Sequence, residues 1–127
     1  MRIVPARAGA SLARTGGFLR GLSGWRRAGL AFAAGCVSAL GFAPVDFFPA
    51  LLGGFAVLVV LLDGVDGKPR PIRNAALTGW AFAFGQYLTG WHWIGYACRV
   101  DPSSHLWQMP FALLFPTGCF ALYAAIA

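Results

Sequence analysis

The densest set of side chains able to do chemistry is Gly90-Trp91-His92-Trp93-Ile94-Gly95-Tyr96, which gathers two indoles, an imidazole and a phenol. Such a group could line a mouth through which a lipid head group or an acyl chain passes. Trp91, His92, Trp93 and Tyr96 are the lipid-contact candidates. The same residues also fit an aromatic belt, in which Trp and Tyr hold a helix at a membrane–water boundary. His92 tilts the balance towards function, because an ionisable residue in an apolar segment is costly unless it is used. As a general base it has no visible partner. Gln86 and Thr89, on the same stretch, are expected to hydrogen-bond between helices rather than to substrate.

Elsewhere the chain is nearly bare of reactive groups. It has no Glu, its four Asp residues are Asp46, Asp63, Asp66 and Asp101, and its one Lys, Lys68, lies in a proline-containing stretch. No Ser-His-Asp or Cys-His set can be read from the spacing, so no catalytic residue is assigned. Cys36, Cys98 and Cys119 are odd in number, and none has a second Cys or His at ligand spacing. They read as small apolar packing residues, with no disulfide, metal or cofactor expected.

The elements that must position the aromatic cluster follow from composition. At 127 residues the chain is one small domain at most, with 58% hydrophobic residues, 11% charged and a mean hydropathy of +0.66. A soluble domain carries about 25% charged residues, so lipid is the expected solvent. The formal charge of +6 could point to nucleic acid, but its placement argues otherwise. Arg2, Arg7, Arg14, Arg20, Arg26 and Arg27 form one cluster and Lys68, Arg70 and Arg73 a second, with apolar runs between them. No basic stripe with interleaved aromatics appears, and nucleic acid is not an expected partner.

Residues 1–27 hold no acid and read as a basic cytoplasmic arm, in part without fixed structure. A cleaved leader is disfavoured, since Pro44-Val45-Asp46 rather than a small-residue site follows the first apolar run. Residues 28–127 then read as an all-α membrane domain of about four transmembrane helices, at about 28–43, 47–62, 75–98 and 106–127. The turn between the first two is marked by Pro44 and Pro49, and Asp46 is placed to cap the second helix. Two Asp-Gly pairs and two prolines make 63–74 the clearest loop. Ala75 and Gly79, and Ala81 and Gly85, are small residues four apart where another helix can come close. Basic residues before the first helix and in the 63–74 loop put both in the cytoplasm, and the 44–46 turn and 99–105 loop outside. Phe111 to Ala127 has no polar flank, so the chain reads as truncated at its C-terminus.

The order of these features resembles the start of the bacterial apolipoprotein N-acyltransferases. The carrying residues are Phe42, Ala43, Pro44, Asp46 and Pro49 in the turn, Leu62-Asp63-Gly64, and Gly79, Trp80, Phe84, Gly85, Gly90, Trp93 and Ile94. Val100-Asp101 and Met109-Pro110-Phe111-Ala112 add to it, and the resemblance covers about residues 28–127. It implies a multi-pass protein of the bacterial inner membrane. The whole enzyme would take an acyl chain from a phospholipid onto a Cys and pass it to the α-amino group of a diacylglyceryl-cysteine. Phospholipid, diacylated lipoprotein and membrane lipids are then the implied partners. The Glu, Lys and Cys of that chemistry belong to a nitrilase-like domain further along such enzymes. None of Cys36, Cys98 and Cys119 has a Glu or Lys to serve it, so none is given the nucleophile's role. This segment is expected to anchor, to line a lipid entrance and to be inactive alone. The alternative, from another class, is a complete small membrane protein that packs with partner helices and catalyses nothing. Composition leaves its oligomeric state open.

Overall fold

The computed structural model describes residues 6–42, 45–97, 99 and 106–127. Among these the chain is helical, with no strand. In order come α1 (Ala6–Gly21), α2 (Gly24–Ser38) extended by a 3-10 turn (Ala39–Gly41), α3 (Phe48–Asp63) and α4 (Pro71–Gly90). A one-turn α5 (Ile94–Ala97), a 3-10 turn (Leu106–Gln108) and α6 (Met109–Ile126) complete it. Ala43, Pro44, Cys98, Asp101 and His105 lie outside the described residues, and so does most of the 99–105 loop.

Three boundaries differ from the sequence reading, each for a local reason. The basic arm, expected to lack fixed structure in part, is helical over Ala6–Gly21. Its Ala, Leu and Arg residues are good helix formers, and its last turn docks on the basic loop. The first apolar helix starts at Gly24, earlier than expected, and Arg26 and Arg27 are inside it. The long helix expected over 75–98 opens earlier, at Pro71, whose missing N–H costs nothing in a first turn, and it stops at Gly90. Asp46 does not cap α3. The cap residue is Phe47, with no side-chain cap bond, and Asp46 adopts a left-handed conformation at φ 51° in the turn, which Asp tolerates better than most residues.

The centre of the bundle is α4, which packs against α2 on one side and α6 on the other, while α3 lies against α2. The core is made largely of small residues: Ala31, Ala34 and Ala81 surround Leu61 and Phe82. Small residues let the backbones come close, as expected for Gly85. A Cβ at Gly35 would run into the Phe82 carbonyl, and one at Gly85 into the Phe32 carbonyl, so the α2–α4 crossing is closed to side chains from both directions. Across the other face Trp80 donates its indole N–H to the Gly118 carbonyl at 3.3 Å and stacks on Phe84 at 4.9 Å.

Large apolar side chains cover much of the outside, among them Phe48, Leu52 and Val59 on α3 and Phe111, Phe115, Leu122 and Ile126 on α6. Among the described residues one helix, α6, is long and apolar enough to cross a membrane, and α3 is apolar but shorter.

Two of the basic residues, Arg27 and Lys68, are spent on backbone carbonyls. Arg27, only 3% exposed, donates from Nε and Nη2 to the Leu22 carbonyl, at 3.1 and 2.6 Å. Its Nη2 also reaches the Gly64 carbonyl at 2.9 Å. The Lys68 ammonium donates to the Arg20 carbonyl at 2.9 Å and to that of Leu22. Carbonyls at the end of α1 have no partner within the helix, and cations there also complement its dipole. Desolvation and then the Arg27 charge hold the Lys68 ammonium below its ordinary value.

Candidate functional site

Around the aromatic cluster the backbone changes direction. The Trp91 N–H closes the last turn of α4 on the Tyr87 carbonyl at 2.8 Å, and residues 91–93 form a turn before α5. Gly90 weakens the helix where it ends. His92 finishes it: Nδ1 lies 2.6 Å from the Thr89 carbonyl. A carbonyl can only accept, so this bond requires the proton on Nδ1. The imidazole therefore satisfies one of the carbonyls left open at the helix end.

The turn splits the four sequence candidates into two pairs. Trp91 and Trp93 line a cavity of about 420 Å³ together with Phe42, Gln86, Tyr87 and Gly90. His92 and Tyr96 line a smaller one of about 130 Å³, with Gly95, Arg99 and Met109. The two tryptophans also differ in surroundings. Trp91 sits edge-on to Phe120 of α6 at 5.3 Å and tilted against Tyr87 at 5.1 Å, whereas Trp93 is 61% exposed. Trp91 thus joins α4 to α6 while closing one wall of the cavity, and Trp93 stands at its rim. In the smaller cavity the His92 and Tyr96 rings meet at 73° and 6.2 Å, and the Arg99 guanidinium lies 5.6 Å from the Tyr96 ring centre.

The larger cavity offers aromatic faces and one amide, Gln86, which has no side-chain hydrogen bond among the described residues. Gln86 was expected to bond between helices. Instead it faces a space that suits an apolar chain carrying one polar group. Sequence reasoning missed Tyr87, although its four-residue spacing from Trp91 puts both on one helix face. Phe42 comes from the turn after α2, and no local pattern could have placed it here. Among the described residues, neither cavity is lined by a Cys, Ser or Thr beside a base. Cys36 is instead turned to the Gly85 carbonyl, 3.5 Å away, and Cys119 is exposed on α6.

The described residues thus form a helical bundle with a small-residue core, an apolar exterior and an aromatic cavity at the end of its central helix. The chain belongs to the apolipoprotein N-acyltransferase family: residues 34–127 match the family's N-terminal domain. It is 43% identical to the apolipoprotein N-acyltransferase of Allorhizobium ampelinum over 111 residues, which is 84% of this chain and 21% of the relative. Identity is 39% over 104 residues to that of Rhodopseudomonas palustris, covering 81% of this chain and 19% of the relative. The Brucella suis enzyme is 41% identical over 121 residues, 91% of this chain and 23% of the relative. The chain thus spans about a fifth of the length of these relatives. No solved structure matches it.

Proposed function

We propose that this chain is the membrane-embedded N-terminal part of an acyltransferase that moves an acyl chain from phospholipid to the α-amino group of the diacylglyceryl-cysteine of lipoproteins. Its own part is to anchor the enzyme in the bacterial inner membrane and to form one wall of the lipid entrance. The observation that carries this reading is the aromatic cavity at the end of α4, in a chain whose family match covers residues 34–127. Trp91 fixes the cavity against α6, and Trp93, Tyr87 and Phe42 offer faces to an acyl chain. Four helical segments cross the bilayer, with the N-terminus and the basic 63–74 loop in the cytoplasm. The outward apolar residues of α3 and α6 support this arrangement, and the basic residues give its direction. The chemistry requires a thiolate and a base, and among the described residues no Cys stands beside one.

Producing this chain in a bacterium depleted of its own acyltransferase tests the reading, with mass spectrometry of a lipoprotein N-terminus as the readout. Diacylated lipoprotein alone is the expected result. Triacylated lipoprotein would show that the segment itself does chemistry and would overturn it.

A further inference from the structure

At the opposite end of α4 from the aromatic cluster, a cavity of about 300 Å³ opens between the first turns of α2 and α4. Trp25, Arg27 and Ala28 line it from α2, and Arg73, Asn74 and Leu77 from α4. Neither first turn contains an acid, and among the described residues no acid lines the cavity. Arg27 is buried, and its Nε and Nη2 are committed to the Leu22 and Gly64 carbonyls. Its remaining nitrogen, Nη1, has no partner among the described residues. Arg73 is exposed and makes no hydrogen bond or ion pair among them either. Two guanidinium groups that keep free donors thus line one cavity, and an anion between them would relieve their mutual repulsion.

The surroundings indicate what kind of anion. Trp25 is 92% exposed and Ile72 85%, both beside exposed arginines. Exposed indole and aliphatic side chains next to arginines suit the head-group level of a bilayer. Leu77 and Ala28 give the cavity an apolar side. The N–H groups of the two first turns, which have no acceptor within their helices, favour negative charge in the same place.

We propose that this cavity binds a phosphate group between Arg27 and Arg73, with the diester of an anionic phospholipid as its membrane source. Arg27 is held rigid by its carbonyl partners and presents a fixed donor, while Arg73 closes over the anion from outside. The site lies apart from the aromatic cavity and does not depend on the acyl-transfer reading.

The test is isothermal titration of the full chain in an uncharged detergent with two probes, short-chain dihexanoylphosphatidylglycerol and inorganic phosphate. Arg73→Gln removes the exposed cation and breaks no contact made by its side chain. Arg26→Gln removes an equal charge from the same surface but outside the cavity. Losing a charge-assisted contact should weaken binding about tenfold or more in the first variant, and the second should stay within about threefold. Arg73→Lys, which keeps the charge without the fork, should lose less than Arg73→Gln. Binding of the lipid but not of inorganic phosphate identifies a lipid site, and equal binding of both identifies a site for a free anion. No binding of either probe, or equal losses in Arg73→Gln and Arg26→Gln, would overturn the proposal.

Discussion

His92 looks like a catalytic candidate in sequence because of its side-chain type, and its geometry gives it a quieter task. Its Nδ1 proton is committed to the Thr89 carbonyl, so replacing it with Phe opens the end of α4. The variant should lose about 1 kcal/mol of stability, the net worth of one such bond, read as a lower midpoint of thermal unfolding in detergent. Lys68 makes a prediction about pH. Its folded pKa lies below the ordinary value of 10.5, so between the two values the unfolded chain holds more protons than the folded one. Stability therefore rises as pH climbs through that window to 10.5, as the desolvation of the ammonium and its repulsion from Arg27 are relieved. Unfolding midpoints measured up to pH 10.5 should show the rise in the natural chain. Lys68→Arg, whose guanidinium does not titrate there, should flatten it.

At the scale of the element, the α2–α4 crossing separates two kinds of glycine. Gly35 and Gly85 are pressed against the carbonyls of the opposite helix, so Gly85→Val must push the helices apart. A cost of about 1–3 kcal/mol is expected, seen as a lower unfolding midpoint. Gly53 on α3 has nothing near the position of a Cβ. Gly53→Ala should therefore stabilise by up to about 1 kcal/mol, the difference in helix propensity. Sequence alone anticipated much of this element-level picture. The small residues around Gly79 and Gly85 marked the faces of α4 that helices approach, and the prolines and Asp-Gly pairs marked the loop after α3. It extended the third helix through the aromatic cluster because hydropathy does not register a helix end made by Gly90 and an imidazole. Nor could it pair Trp91 with Phe120, or Arg27 with the Gly64 carbonyl, since those partners are far apart along the chain.

For the whole molecule, the proposed topology makes a prediction about sidedness. Single cysteines placed at Arg14 and at Asp66, in a chain lacking its natural cysteines, should react with a membrane-impermeant maleimide from the same side of sealed vesicles. One placed at Trp93 should react from the other side. Labelling of Arg14 and Asp66 from opposite faces would show that the helical segments do not cross as proposed. Of the whole, the helical class and the family were legible because both rest on composition and on local patterns. The basic cavity was not, because Arg27 and Arg73 belong to separate clusters that only the fold brings together.

The carbonyl of Leu22 accepts from Arg27 nearby and from Lys68, 46 residues further on. In a chain made from its N-terminus, α1 leaves the ribosome long before Lys68 has been added. Until then its end is held by Arg27 and, once α3 is made, by the Arg20–Asp63 pair at 3.4 Å. The spacing thus orders the contacts along the chain: Arg27 reaches the end of α1 first, Asp63 next, and Lys68 last.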